Sequence, residues 1–200
     1  MGLNFKVAEG VLIPRQDTET VVEKASSIFK AIKGDALLDM CCGCGCIGIY
    51  MARALGAKVT ACDISNEAVK LTRQNASAQG MKMEVLSGDL FEPVKKKKYN
   101  MIVCNPPYIK SQVIETLMPE VRDNEPREAL DGGEDGLDFY RRIIEEAPDH
   151  LKKGGALVME IGYDQQVHGR RKNVAQPSSG FRCPSYPCRE QDRQGRSGNA

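Results

Sequence analysis

The sequence predicts an α/β domain built on a doubly wound, mostly parallel sheet. Three observations predict it. Short apolar runs alternate with stretches of helical period from Asp17 to Ile161, a glycine-rich turn follows the first run, and an Asn-Pro-Pro-Tyr motif follows the fourth. Strands that are buried on both faces read as continuous apolar runs, and intervening helices make the parallel connections.

From Asp17 to Ile32 the residues Val21, Val22, Ala25, Ile28, Phe29 and Ile32 recur at helical spacing, with Asp17 or Thr18 available as a cap. Ala36 to Met40 reads as a buried strand running into the glycines, and Ile47 to Leu55 as a helix closed by Gly56. Lys58 to Cys62 is the second strand, Asn66 to Ala78 a helix closed by Gly80, and Lys82 to Leu86 the third strand. Tyr99 to Cys104 is the fourth. After a loop rich in Pro, Glu and Gly, Leu137 to Leu151 reads as a helix strained near its end by Pro148, and Ala156 to Ile161 as the fifth strand.

A length of 200 residues and a hydrophobic fraction of 41% suit one globular domain, expected over residues 1–165. Beyond Gln165 the apolar period is lost and basic residues outnumber acids, so residues 166–200 are expected to be a disordered or non-native tail. An abrupt departure of the reading frame there would leave the sheet without its last strands. A net charge of +1 offers no bulk attraction for nucleic acid, and the tetralysine run Lys95 to Lys98 reads as a solvated turn. No apolar run is long enough for a membrane span and no secretory pattern opens the chain, so a cytoplasmic protein is expected. Of the eight cysteines, Cys41, Cys42, Cys44 and Cys46 crowd one turn. They are too close for a disulfide framework and lack the paired spacing of zinc sites, so reduced thiols and no metal are expected.

Asp39-Met40-Cys41-Cys42-Gly43-Cys44-Gly45 lies where the first strand gives way to a helix, the ligand-binding edge of open α/β sheets. Gly43, Gly45 and Gly48 also spell the dinucleotide fingerprint, with Asp63 about 20 residues on, so the glycines alone leave the cofactor open. Asp63 suits the ribose hydroxyls of either a dinucleotide or S-adenosylmethionine. Asp89 is placed to accept from an adenine amino group while Leu90 packs on the base. Asp39 is placed to orient the turn or to meet a ligand ammonium group.

Asn105-Pro106-Pro107-Tyr108 projects from the end of the fourth strand into the same crevice. The Asn105 side-chain oxygen and the Pro106 carbonyl can accept the two hydrogens of a planar NH₂ group, turning its nitrogen toward a methyl donor without a strong base. The prolines stiffen the loop, and Tyr108 offers a flat wall to an amide or a base. Asn105, Pro106 and Tyr108 are therefore the catalytic candidates, and Asn105 to Tyr108 the acceptor-binding segment.

These motifs, together with Gly2 to Phe5, Val11 to Glu19, Glu125 to Leu130 and Met159 to Gly162, resemble the HemK/PrmC-type peptide chain release factor glutamine methyltransferases. The resemblance covers residues 2–165. It implies a Rossmann-like S-adenosylmethionine-dependent methyltransferase fold, with Cys41, Cys42, Gly43, Cys44, Gly45, Asp63, Leu90 and Asn105 around S-adenosyl-L-methionine. It also implies that Asn105 to Tyr108 hold the glutamine of a release factor's Gly-Gly-Gln motif. Ile13 to Arg15 is implied to pack over the site, with Phe5 or Arg15 as supporting residues.

Two departures stand out: the family usually begins its glycine series where this chain has Cys41, and its N-terminal helical domain is expected to be absent here. Two alternatives are an N-methyltransferase of adenine or guanine exocyclic amines, which shares the Asn-Pro-Pro-Tyr logic, and an inactive cofactor-binding fragment. A dehydrogenase would leave Asn105 to Tyr108 without a role.

Overall fold

The computed structural model describes residues 2–162 and residue 165. The segment read as a tail, 166–200, lies outside the described residues. Five strands, β1 (Ala36–Met40), β2 (Lys58–Asp63), β3 (Glu84–Ser87), β4 (Tyr99–Cys104) and β5 (Leu151–Met159), form one sheet in the order β3-β2-β1-β4-β5. Every pairing is parallel. The strand order reverses between β1 and β4, and the carboxyl ends of these two strands flank the crevice where such sheets hold ligands.

Helices α1 (Gln16–Ala31), α2 (Cys46–Leu55) and α3 (Asn66–Ala78) cover one face of the sheet. Val22, Ala25 and Phe29 of α1 and Ile47 and Met51 of α2 pack there on Leu37, Val59, Met101 and Val103. Helix α7 (Asp138–His150) covers the other face, where Ile143 and Ala147 meet Leu38, Met40, Ile102 and Cys104. Alternation along β1 thus sends Leu38 and Met40 toward α7, and Leu37 and Asp39 toward α2.

Most element ends fall within one or two residues of the sequence reading, β5 ending at Met159 rather than Ile161, and the following differences stand out. β5 begins at Leu151 rather than Ala156, because a bulge around Gly154, which has φ +78°, carries the strand through Lys152 to Gly155. Lys-Lys-Gly-Gly has the chemistry of a turn, so periodicity alone misses this half of the strand. β3 starts at Glu84 rather than Lys82. The stretch read as a plain loop contains three single-turn helices, α4 (Ser111–Ile114), α5 (Pro119–Arg122) and α6 (Arg127–Leu130), too short to show a period. No helix among the described residues is long and apolar enough to cross a membrane.

Candidate active site

A cavity of about 470 Å³ opens at the carboxyl ends of β1, β2 and β4. One wall is the turn Cys41 to Cys44, which β1 delivers and α2 begins. Gly43 and Gly45 have φ of +55° and +81°, and no heavy atom lies within 4 Å of where a Cβ on Gly43 would stand. The turn can therefore meet a ligand at backbone distance. Gly48 serves packing instead, since a Cβ there would stand 2.7 Å from an Asp39 oxygen and 3.0 Å from Val59. Cys41 also adopts a left-handed conformation, φ +55°, which would suit glycine better than a residue with a Cβ.

Two carboxylates and two α3 side chains hold the turn from behind. Asp63 accepts from the Gly43 N–H at 2.9 Å through one oxygen and from the Ser65 N–H at 3.0 Å through the other. Burial raises its pKa, and those backbone hydrogen bonds oppose the shift. Each carboxylate oxygen can accept more than one hydrogen bond, and Asp63 lines the cavity.

Asp39 is fully buried and accepts from the Gly48 N–H at 2.8 Å, so it steadies the first turn of α2. Its other oxygen has no partner among the described residues, and burial pushes its pKa up to about 8. Thr72 donates to the Gly43 carbonyl at 2.8 Å, and Asn75 donates to the Cys44 carbonyl at 2.9 Å. Neither α3 residue stands out in the sequence, because both are polar residues within a helix of mixed character.

The opposite wall is the loop after β4. Asn105 and Pro107 line the cavity, and the Asn105 side-chain amide makes no hydrogen bond among the described residues. The loop's outer side is pressed against a second loop. Ile109 donates to the Leu130 carbonyl at 2.9 Å and Gly132 donates to the Ile109 carbonyl at 2.8 Å. A Cβ on Gly132 would stand 2.7 Å from Tyr108 Cα, and one on Gly136 2.5 Å from the Tyr108 carbonyl oxygen. Only glycine permits this approach. Tyr108 does not line the cavity; its hydroxyl turns inward and donates to Glu160 Oε1 at 3.2 Å. Burial beside the Glu160 carboxylate holds that phenol protonated.

Cys41, Cys42, Gly43, Cys44, Asp63, Asp89, Leu90, Asn105 and Pro107 all line this cavity, while Asp39, Gly45, Pro106 and Tyr108 are not among its lining residues. Asp89 is already paired with Arg142 of α7. Leu90 is buried with φ +47°. Sequence reasoning passed over Ile64, 64% exposed beside Asp63, and Phe139, both of which add apolar lining. Gly10 to Leu12, Pro14 and Thr18 close one side of the cavity, and Pro126 to Ala129 another.

Arg15 pairs with Glu125 at 3.0 Å and so joins these two closing segments. The six described cysteines are free thiols, and no group of three His, Cys, Asp or Glu side chains among the described residues could hold a metal ion. The lysine run is exposed, with Lys97 paired to Glu84.

A cavity at this sheet's switch point, walled by a backbone turn and an Asn-Pro-Pro-Tyr loop, is the arrangement of Rossmann-like methyltransferases. Solved structures share the fold. A methyltransferase from Pyrococcus furiosus superposes with a TM-score of 0.59 at 20% identity, over 83% of this chain and 73% of its own. The ribosomal protein L11 methylase of Lactobacillus delbrueckii subsp. bulgaricus gives 0.53 at 23% identity, over 78% and 66%.

The chain belongs to the methyltransferase small domain family, whose model matches residues 19–123. Among its relatives are the release factor glutamine methyltransferases of Geobacter sulfurreducens, 46% identical over 165 residues, and Clostridium botulinum, 43% identical over 172. The alignments cover 82% and 84% of this chain but 57% and 61% of those proteins, so the chain spans about three-fifths of their length. The resemblance read from scattered motifs thus holds along most of the chain.

Proposed function

We propose that this chain is the catalytic portion of a cytoplasmic S-adenosylmethionine-dependent N-methyltransferase. Its acceptor is the side-chain amide of the glutamine in the Gly-Gly-Gln motif of peptide chain release factors. One observation carries the reading: Asn105, with its amide unengaged among the described residues, opens into the same cavity as the bare backbone of Gly43.

The residues present fit the cofactor. The Gly43 cradle has room for a ligand, the Asp63 oxygens can accept further hydrogen bonds from ribose hydroxyls, and beneath them one Asp39 oxygen is buried with no partner among the described residues. When bound, S-adenosylmethionine supplies an electrophilic methyl group on a sulfonium. Cys41 to Cys44 and Asp63 would hold it, with Ile64 and Leu90 beside its base.

Asn105 and the Pro106 carbonyl would accept the two amide hydrogens of the glutamine and present its nitrogen to the methyl carbon. Methyl transfer to that nitrogen would leave one amide proton to be lost, and its acidity would let it pass to water, so no residue of the chain need act as a strong base. The site's contribution is therefore alignment and exclusion of competing orientations.

The test is to incubate the chain with methyl-labelled S-adenosylmethionine and, in parallel, a release factor, duplex DNA and RNA. Label on the Gly-Gly-Gln glutamine, located by peptide mass spectrometry and abolished by Gln→Ala in that motif, is expected. Label confined to nucleic acid would overturn the acceptor assignment in favour of a base N-methyltransferase.

A further inference from the structure

Glu160 follows β5 directly and is 6% exposed. Four hydrogen bonds converge on it. Its backbone N–H donates to the Cys104 carbonyl at 3.0 Å, beside Asn105, and its own carbonyl accepts from the Tyr140 hydroxyl of α7 at 2.9 Å. Its carboxylate accepts from Thr18 of α1 at 3.1 Å on one oxygen and from Tyr108 at 3.2 Å on the other. Glu160 is thus tied to the end of β4, to α7, to the cavity-lining Thr18 and to the acceptor loop.

A buried carboxylate is a costly way to fill that space, and an apolar side chain would pack with less desolvation. What a carboxylate provides is two acceptor oxygens for two hydroxyl donors on different elements, which fixes the distance between those elements. Burial raises the Glu160 pKa, while Thr18, Tyr108 and the Arg15 charge lower it and Asp17 raises it further.

We infer that Glu160 is a positioning residue for methyl transfer: by binding the hydroxyls of Tyr108 and Thr18 at once, it braces the Asn105 to Tyr108 loop against the cavity wall. The inference rests on the proposed function only in assigning that loop to the acceptor. Glutamine at this position has one acceptor oxygen and one NH₂, so one of the two hydroxyls must turn round to accept. Alanine removes both contacts.

The test combines kinetics with hydrogen–deuterium exchange on the full chain, using Glu160→Gln, Glu160→Ala, Tyr108→Phe and the Glu160→Ala/Tyr108→Phe double variant. With a release factor as acceptor, kcat is expected to fall about 100-fold in Glu160→Ala and about 10-fold in Glu160→Gln, with S-adenosylmethionine affinity within about threefold of wild type. Tyr108→Phe added to Glu160→Ala should cost little more, because the two side chains act through one bond. Exchange should quicken in peptides spanning 105–110 and 16–20 and stay unchanged across 41–48.

Additive kinetic effects, or a parallel loss of cofactor affinity, would overturn the positioning role. Unchanged exchange at 105–110 would overturn the brace itself. If Glu160→Ala fails to fold, the near-isosteric Glu160→Gln carries the same comparison. A wild-type chain that binds cofactor but methylates no acceptor would refute the functional reading, and exchange would still decide the brace.

Discussion

The two walls of the cavity are held in different ways. The Cys41 to Gly45 turn is fixed from close behind by Asp63, Thr72 and Asn75, with Asp39 holding the Gly48 N–H of the helix that follows, all within the β1-α2-β2-α3 run and acting on backbone groups. The Asn105 to Tyr108 loop is fixed by residues far along the chain: Gly132 and Gly136 against its backbone, Glu160 on the Tyr108 hydroxyl, and Gln165 donating to the Tyr108 carbonyl at 3.0 Å. A wall built from one contiguous unit can be rigid on its own. A wall assembled from three distant segments depends on all of them, so damage to the proposed cofactor and acceptor walls should separate in experiment.

The sharpest separation is expected from Asn105→Ala. Methyl transfer should fall by about 100-fold or more, while calorimetric affinity for S-adenosylmethionine changes by less than about fivefold. An equal loss of affinity would mean that Asn105 serves the cofactor wall instead.

Gly132→Ala comes next. Its methyl group meets the Tyr108 backbone at 2.7 Å, so denaturant unfolding should show a loss of about 2 kcal/mol. The variant's remaining folded protein should bind cofactor normally and transfer methyl poorly.

Asp39 tests the cofactor wall through pH. Its folded pKa of about 8 lies above the ordinary carboxyl value of 3.8, so between these pH values the folded group is protonated and the unfolded one ionised. Unfolding then releases a proton, stability falls as pH rises across that window, and it levels off above it. Asp39→Asn should flatten this slope by at least about 1 kcal/mol between pH 5 and pH 8, read from urea midpoints. An unaltered slope would show that Asp39 is ionised in the folded state.

The smallest effect is expected at Cys41, where glycine would relieve the left-handed conformation. Cys41→Gly should raise stability by about 1 kcal/mol in thermal unfolding, and cofactor affinity should hold or improve.

The same division governs what could be read beforehand. The places of the strands along the chain and the parallel, doubly wound sheet were legible because parallel strands buried on both faces are apolar runs, and Gly56 and Gly80 close their helices in the expected left-handed conformation. The position of the glycine turn at the cavity was legible because its glycines and Asp63 lie close together in sequence at strand ends. Thr72 and Asn75 were not, since nothing in a helical pattern tells which polar residue faces inward to a turn.

On the acceptor side the Asn105 to Tyr108 motif was visible, yet its supports were not. Gly132 and Gly136 sit in a glycine-rich loop where each reads as an ordinary turn residue. Glu160 sits in a motif that marked the family but assigned no contact, and its partners lie 142 and 52 positions away. Long-range bracing leaves no local period.

The thiol at Cys41 has a practical consequence. Five of the six described cysteines are buried and Cys41 alone is half-exposed, inside the cavity. Among the described cysteines, Cys41 is therefore a native labelling handle in the cavity wall. Of these thiols, a small maleimide should alkylate Cys41 first, and more slowly when a ligand fills the cavity. Occupancy could then be followed by the mass of the peptide that carries Cys41, with no engineered probe and no turnover.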